Sequence, residues 1–390
     1  MAEFIFRNYL KVFLVGCMAF YIPGMQFYLP QELWFQYGVM VLLGICYFVP
    51  RKRQISNVWL GTILLYAVFQ TILQNFNPEN RVILLNFFLG FLLIRELAER
   101  IDLNFKSIGN FLALFCALNV VWIILQLYNV DPVFNSLFPK NMIQIDAVGL
   151  MGLKSNLGTL AALSFPFIFY ANPFNTIICI PLLWFGHSTA AIASVLATLF
   201  FILWFKDKRI LIASVITFGV LGFLYVWKID MPTGEFQKRF PVWFAGIKVL
   251  SGTNSIFGRG LGSWAMTGFT TFQQNGQPQM WSWAHNEFIQ YLYELGIFGS
   301  ILLYAYFKNL FNKLSMAVSS HILAVSILIP LLITSFIHFN WHIARFAGLS
   351  CFMIAAVEAL LSVNTVYKGD KGNIYEESYF IPDSIPADMS

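Results

Sequence analysis

Residues 111–128, FLALFCALNVVWIILQLY, form an apolar run that contains no charged side chain. About 20 consecutive apolar residues are enough for a helix to cross the hydrocarbon core of a bilayer. Similar runs lie on both sides of this one, such as ILIASVITFGVLGFLYVW at residues 210–227. The whole sequence is 58% hydrophobic and only 11% charged, whereas soluble domains carry about 25% charged residues. We therefore predict an all-α, polytopic helical membrane protein.

Hydropathy predicts about twelve transmembrane helices. Residues 1–363 are expected to form a single integral membrane domain, followed by a polar, proline-containing and flexible cytoplasmic tail at 364–390. The segment 174–187 is short for a span and is also consistent with a re-entrant segment. The predicted spans are 10–29, 33–50, 55–74, 81–97, 108–128, 157–172, 174–187, 188–206, 210–228, 286–306, 319–338 and 342–363.

The distribution of basic residues predicts the orientation, because Lys and Arg are enriched in short cytoplasmic loops of membrane proteins. With both termini in the cytoplasm, 15 of the 24 Lys and Arg residues lie on the cytoplasmic side, including the cluster RKR at residues 51–53. The opposite orientation places fewer of them there. We therefore expect cytoplasmic N- and C-termini and two long outer loops, at 129–156 and 229–285. The second loop is rich in Trp, Phe and Gly, so we expect it to be ordered.

Several kinds of chemistry lack their sequence motifs. There is no GxxxxGK[ST] loop, and GRGLGS at residues 258–263 matches a dinucleotide fingerprint only loosely. No HExxH motif or carboxylate cluster is present, so we expect neither a metal nor another cofactor. The net charge of +5 comes from short juxtamembrane clusters, so the expected partners are membrane lipids and not nucleic acid. The five cysteines lie in apolar runs without a CxxC pair, which is typical of small core residues.

The second outer loop contains candidates for binding an anion. Lys238 and Arg239 precede an amphipathic segment that contains Trp243, and a Gly-rich turn at 258–262 contains Arg259. Guanidinium groups bind phosphate with paired hydrogen bonds, and glycine lets backbone N–H groups approach an anion closely. An amphipathic segment with Trp and basic residues can also lie at the level of lipid headgroups. These residues therefore predict either a phosphate site or an anchor on the membrane surface.

His285 stands near the start of AHNEFIQYLYELGIFGS, residues 284–300. A histidine titrates at about pH 6.5 and can take a proton from a hydroxyl near neutral pH, although one at a helix end can also simply bond a loop carbonyl. Glu294 follows about 13 Å further along the helix and on its opposite side, so we expect a structural hydrogen bond for it and no pairing with His285. Further candidates facing the same outer compartment are Lys154, Asn156, His342 and Arg345. Such convergence is typical of a pocket for an anionic substrate.

At these residues the sequence resembles the O-antigen ligase and polymerase superfamily of bacterial envelope glycan enzymes. The likeness is carried by three stretches in the family's order, which together span residues 149–300. Two departures are HSTAA at 187–191, where the family often has Ser-Arg, and Lys154, where a small residue or proline is common. If that arginine binds phosphate, its role here is unfilled or passes to His187, Lys154 or Arg345. The three stretches are GLMGLKSNLGTLAAL (149–163), KRFPVWFAGIKVLSGTNSIFGRGLGSW (238–264) and AHNEFIQYLYELGIFGS (284–300).

The resemblance implies a glycosyltransferase on the periplasmic face of the bacterial inner membrane. Its donor would be a glycan linked to undecaprenyl pyrophosphate, and its acceptor a hydroxyl on a glycan or on lipid A core. Arg239 would bind the pyrophosphate and His285 would deprotonate or orient the acceptor hydroxyl, without a metal. The remaining candidates would bind substrate: Lys154, Asn156, Lys238, Arg259, Asn286, His342 and Arg345.

Several alternatives stay open at this point. A protein O-oligosaccharyltransferase would use the same donor, but such members tend to carry extra C-terminal domains, which favours a polymerase or a ligase here. A flippase or other transporter for lipid-linked glycans would show internal repeats and broken helices that meet at the membrane midplane. A non-catalytic component working with envelope polysaccharide assembly proteins would not need His285 or Arg239.

Overall fold

A computed structural model of the protein describes residues 1–20, 29–55, 58–73, 78–128, 130–131, 147–206, 233–272, 278–281, 283–314, 319–337 and 344–366. Most of these residues are helical, so the predicted helical class is confirmed. The helices of the first half are α1 (Ala2–Ala19), α2 (Leu29–Phe48), α3 (Val58–Leu73), α4 (Pro78–Arg100), α5 (Lys106–Leu127), α6 (Lys154–Ala171), α7 (Cys179–Gly186) and α8 (Thr189–Lys206).

The second half contains a compact loop region between α8 and the last three long helices. A two-stranded antiparallel hairpin lies within it, with Phe269 opposite Trp281. The all-α prediction lacked this hairpin, which lies within the segment 229–285 that was expected to be an ordered loop. The elements are α9 (Thr233–Val249), α10 (Thr253–Phe257), α11 (Ser263–Thr267), β1 (Phe269–Phe272), β2 (Pro278–Trp281), α12 (Glu287–Asn312), α13 (Ser319–Ile337) and α14 (Ala344–Val366).

The helix bounds refine the predicted spans. Helix α1 begins at Ala2, well before the predicted start of the first span, and ends at Ala19. The doubtful segment 174–187 forms a 3-10 helix, Pro173–Ile178, followed by α7, which is only 8 residues long. The predicted span 210–228 lies outside the described residues. The total of about twelve spans therefore stays a prediction.

Three described helices are long and apolar enough to cross a membrane by length and composition: α5, α12 and residues 345–362 of α14. Shorter apolar helices lie at 58–73, 173–186, 189–205 and 320–336. These helices are those of a multi-pass membrane protein.

Neighbouring helices are joined by close packing at a glycine and by hydrogen bonds from an arginine. A Cβ added to Gly109 in α5 would stand 2.2 Å from the carbonyl oxygen of Phe167 in α6, so only glycine allows this approach. Arg100 at the end of α4 donates from Nε to the carbonyls of Cys46 and Val49 at the end of α2. These contacts satisfy backbone carbonyls that a helix end leaves without partners.

Helix α12 is broken at Gly296, which has φ of 68° and ψ of −171°. A polypeptide interrupted at membrane depth needs hydrogen bonds from elsewhere in the protein. The Gly-rich turn 258–262 supplies two of them, because the N–H groups of Arg259 and Gly260 donate to the carbonyls of Tyr293 and Glu294. The two glycines that meet here leave no space for a side chain, since a Cβ on Gly296 would lie 2.4 Å from the nitrogen of Gly258.

Helix α3 also contacts the junction between the Gly-rich turn 258–262 and the break in α12. The Tyr66 hydroxyl bonds the carbonyls of Phe257 and Leu295, at 2.8 and 2.9 Å. Gln70 Nε2 donates to the Gly258 carbonyl at 3.0 Å, and the Leu261 N–H donates to Thr71 Oγ1 at 3.2 Å. The outer loop is thus fastened between α3 and α12, and the candidate site is built on this junction.

Candidate functional site

The loop region is joined to the His285 segment by a buried indole. Trp243 of α9 donates from Nε1 to the carbonyl of Ala284 at 2.6 Å. Trp243 and Ala284 belong to a compact apolar cluster with Val242, Trp264, Phe269 and Tyr293, separate from the main helical core. The cluster fixes α9 directly against the residue that precedes His285.

His285 stands in an unusual backbone conformation. Its φ is +53°, and the only other non-glycine residue with positive φ among those described is His187, at +45°. Such conformations are uncommon outside glycine and persist where surrounding contacts enforce them. Here the preceding Ala284 is held from both sides, since its N–H donates to Gln290 Oε1 at 3.1 Å and its carbonyl accepts from Trp243. The His285 side chain is half-buried.

Asn286 and Glu294 support this turn. Asn286 is the N-cap of α12, where its Oδ1 accepts from the N–H of Ile289 at 3.1 Å. Glu294 is fully buried, and its Oε1 accepts from Gln290 Nε2 at 3.1 Å. Glu294 is therefore linked through Gln290 to the backbone that carries His285, as the structural role predicted for it requires.

Arg239 lies on α9 four residues before Trp243. Side chains four residues apart point to the same helix face, with Cβ atoms about 6 Å apart. Because Trp243 contacts Ala284, this spacing places Arg239 on the face of α9 that looks toward the His285 turn. The Arg239 side chain is half-buried. Lys238 is also part of α9, but its side chain lies outside the described set.

Backbone N–H groups of the Gly-rich turn form hydrogen bonds within the protein. Its N–H groups at Gly258, Arg259, Gly260 and Leu261 all donate within the protein, to Asn254, Tyr293, Glu294 and Thr71 respectively. The prediction that this turn offers these N–H groups to an anion therefore does not match the structure, because the break in α12 accepts two of them and Asn254 and Thr71 accept the other two. Arg259 Nη1 donates to the Tyr293 hydroxyl at 2.8 Å, and its guanidinium lies 5.7 Å from the centre of that ring.

A second group of candidates surrounds the carbonyl of Met151. Asn156 Nδ2 donates to this oxygen at 3.2 Å, and Arg345 Nη1 donates to it as well. Both side chains are almost completely buried. The predicted cation Arg345 is thus inside the protein and not on the surface of an outer cavity, although it does converge with Asn156.

The segment around Met151 is shaped by helix α5. Gln126 Oε1 accepts from the N–H groups of Val148 and Gly149, and Asn119 Oδ1 accepts from that of Leu150. Gly149 has φ of +58° and packs against Asn119. The turn sets the start of α6, where Lys154 is the first residue and is half-buried.

The end of α7 lies against the start of α6. A Cβ on Gly186 would stand 2.6 Å from the Gly158 nitrogen and 3.3 Å from the Lys154 carbonyl oxygen. His187, which follows Gly186 in a left-handed conformation, is therefore close to Lys154. The remaining candidate, His342, lies outside the described residues.

A large apolar cavity begins next to the His285 turn. Its volume is about 600 Å³, and residues of α2, α3, α4, α12, α13 and α14 line it. Along α12 the lining runs from Glu287 and Phe288 to Phe311, which corresponds to about 36 Å of helix. Ala347 of α14 lines the same cavity. Arg345, which with Asn156 bonds the Met151 carbonyl, lies two residues before Ala347. The first turn of α14 therefore contacts both the Met151 carbonyl and the cavity.

Some of these features were missed by reasoning from sequence. Trp243 was assigned to a segment that would form either a phosphate site or an anchor on the membrane surface, and nothing in the neighbouring sequence reveals that it bonds residue 284. Glu287 was not among the candidates selected from sequence, yet it lines the cavity. Its sequence signal is its position, since an acidic residue in the first turn of an apolar helix is a functional candidate.

Comparison with known families adds to this geometry. Residues 142–304 match the family model described as O-antigen ligase. The match covers Met151 and Asn156 but not Arg345, and it includes α9, the Gly-rich turn, the His285 turn and the break in α12. The resemblance noted in the sequence is therefore confirmed. No curated protein matches the chain.

Proposed function

We propose, for a chain whose residues 142–304 place it in the O-antigen ligase and polymerase superfamily, that it transfers a glycan from a polyprenyl-pyrophosphate carrier to an acceptor hydroxyl. The family supports a membrane glycan ligase or polymerase. The donor, the acceptor and the residue roles that follow are our proposal. Transfer takes place on the periplasmic face of the bacterial inner membrane.

One observation carries the proposal more than any other. The hydrogen bond from Trp243 to the Ala284 carbonyl ties the helix of Arg239 to the turn of His285. A cation and a histidine held on neighbouring rigid elements are the groups that this reaction needs. The cavity beneath them gives the polyprenyl chain an apolar path into the membrane.

The bond changes assign a role to each group. The acceptor hydroxyl gives its proton to the His285 imidazole, and its oxygen bonds to the anomeric carbon of the donor sugar. The bond between that carbon and the pyrophosphate oxygen breaks, and the leaving pyrophosphate keeps the electron pair. Its negative charge grows toward the transition state, so the fixed guanidinium of Arg239 lowers the barrier more than it stabilises bound donor.

The structure contains one feature expected of transporters, the broken helix α12. In transporters the freed backbone groups of such breaks bind substrate or ions. Here the carbonyls of Tyr293, Glu294 and Leu295 accept hydrogen bonds from Arg259, Gly260 and Tyr66. Because the break is filled by the protein's own chain, this feature favours the enzyme over a flippase.

Replacement of the two proposed catalytic residues tests the function. His285→Ala and Arg239→Gln in a strain that depends on this protein should each reduce glycan transfer by about 100-fold or more, as expected for loss of a proton acceptor or of a charge-stabilising group. Arg81→Gln is the matched control, since Arg81 is an exposed arginine at the start of α4. Normal envelope glycan from both stably expressed variants would contradict the assignment.

Deletion of the gene separates the two activities of the family. A polymerase deletion leaves single repeat units on the acceptor, whereas a ligase deletion leaves polymer on the lipid carrier. We favour the polymerase, and electrophoresis of the extracted glycans distinguishes the two outcomes.

A further inference from the structure

Gln290 lies one turn into α12, and its side chain joins the helix to the segment before it. The residue is only 1% exposed. Its Oε1 accepts from the Ala284 N–H at 3.1 Å, and its Nε2 donates to Glu294 Oε1 at 3.1 Å. The second contact needs only an acceptor oxygen, which a carboxyl group offers in both of its protonation states. Both ends of the amide therefore have a partner, and a side chain without both a donor and an acceptor cannot replace it.

The contact with Ala284 encloses His285 in a small ring of chain. In an ordinary capping box, a side chain in the first helical turn reaches back to the N–H of the N-cap residue. Gln290 instead reaches past the N-cap, Asn286, to the N–H of Ala284, two residues earlier. His285, with φ of +53°, is bridged in this way. The ring thus restrains a backbone conformation that residues other than glycine seldom adopt.

This amide supports the turn without forming part of the cavity wall. Glu287 and Phe288 line the apolar cavity, whereas Gln290 is not among the described residues that do so. The carbonyl of Ala284 is bonded separately, by Trp243 of α9. Loss of the Gln290 amide should therefore loosen the turn on its N–H side and leave the cavity walls unchanged.

We propose that Gln290 is a positioning residue, which holds the His285 imidazole in place for the reaction by fixing the backbone that precedes it. This proposal rests on the proposed function, in which His285 takes the proton of the acceptor hydroxyl. Displacement of a reacting group by about 1 Å can lower a rate by about 100-fold. Because the cavity binds the lipid chain and Gln290 does not line it, the loss falls on kcat and not on KM.

Kinetics of two variants test the effect on the reaction. Gln290→Met keeps the length of the side chain without its hydrogen bonds, and Gln290→Asn keeps the amide on a shorter side chain that should no longer reach Ala284. Membranes that contain each variant are supplied with lipid-linked glycan extracted from the deletion strain. Both variants should lower kcat about tenfold or more and change KM by less than about twofold.

Gln31→Met is the matched control for these variants. Gln31 of α2 is also 1% exposed, and neither polar atom of its side chain has a hydrogen-bond partner in the described part of the chain. The same substitution therefore changes a buried amide without removing a hydrogen bond. It should leave kcat and KM as they are in the unaltered protein.

A chemical probe that needs no substrate reports on His285 itself. Diethyl pyrocarbonate acylates imidazole nitrogens, and mass spectrometry of the full-length protein in nanodiscs gives the rate at each histidine. His187 is the internal reference, since it also has positive φ but is exposed at the end of α7. The ratio of the His285 rate to the His187 rate should rise about fivefold in both Gln290 variants, as expected for loss of a hydrogen bond. It should stay constant in Gln31→Met.

The two measurements separate this proposal from the proposed function. If His285→Ala abolishes transfer but the Gln290 variants keep the original kcat, or lower it without changing the acylation ratio, the positioning role is overturned and the proposed function stands. A change in KM alone would overturn it as well. If His285→Ala transfers glycan normally, the proposed function fails and the positioning role fails with it.

Discussion

Close contacts explain the two glycines in ELGIFG, residues 294–299 of α12. Gly296 adopts φ of +68°, and it lies against Gly258, whose φ is +80°. A side chain on either residue would collide with the backbone of the other. Gly299, three residues on, is equally confined, since a Cβ there would lie 2.3 Å from the Cβ of Leu295. Gly296 is therefore required by backbone contact, and Gly299 by contact with the Leu295 side chain.

Replacement of Gly296 by alanine should destabilise the protein strongly. The left-handed conformation costs a β-carbon about 1–3 kcal/mol before the steric clash with Gly258 is counted, so the melting temperature should fall by several degrees. All five cysteines are buried, so a thiol-reactive dye reports unfolding directly. The control is Gly44→Ala in α2, where nothing lies within 4 Å of the added Cβ and alanine favours the helix. Equal melting of the two variants would show that the α12 break tolerates a side chain.

Reasoning from sequence selected candidate residues but did not describe their environments. His285 and Arg239 stood out because titratable groups are rare in so apolar a chain. The burial of Arg345 was not foreseeable, since its partner is the backbone carbonyl of Met151, 194 residues earlier. A hydrogen bond to a backbone oxygen cannot be predicted from the order of side chains in the sequence.

At the scale of elements, α9 has two faces with different partners. Val242, Trp243 and Gly246 face the protein, and Gly246 is close enough to Trp264 that a Cβ would stand 2.6 Å from its ring. The opposite face exposes a stripe of apolar side chains near a basic residue: Phe240 at 46%, Phe244 at 61% and Ile247 at 44%, followed by the exposed Lys248. An apolar stripe with a flanking cation suits the headgroup region of a bilayer.

A fluorescent label should detect this contact. Because the native cysteines are buried, an environment-sensitive dye attached to Phe244→Cys will label that position selectively. We expect blue-shifted emission that spin-labelled lipids quench, since the stripe inserts at the membrane surface. The control is the same dye on Ser251→Cys, in the exposed turn after α9, where emission should remain that of dye in water. Water-like emission at position 244 would refute membrane contact.

Hydropathy predicted some secondary-structure elements accurately and missed others. Uniform apolar runs such as α5 and α14 were predicted to within a few residues, because hydropathy alone decides them. The break in α12 was not, since residues 286–306 form one apolar run and only contact with the Gly-rich turn interrupts it. The hairpin β1–β2 lies in a polar stretch whose strands pair with each other and leave no hydropathy signal.

At the scale of the whole molecule, both groups of candidate residues gather at the end of the bundle where α6, α12 and α14 begin. Our predicted orientation places this end in the periplasm. A membrane-impermeant maleimide should therefore label Ser251→Cys in intact spheroplasts, but should reach Lys106→Cys, an exposed position at the start of α5, only after permeabilisation. The reverse pattern would invert the topology and separate the site from a periplasmic acceptor.

The junction of α3 with the outer loop also constrains how the protein is made. Gln70 is 3% exposed and its amide binds a carbonyl 188 residues further along the chain, while Tyr66 bonds one 229 residues away. A ribosome completes α3 long before either acceptor exists, and an amide in the membrane without a partner is costly. We therefore expect the first helices to wait beside the insertion machinery in an unfinished arrangement. We expect this junction to close only after residue 295 has been made, so its assembly depends on a later stage of synthesis than the insertion of α3.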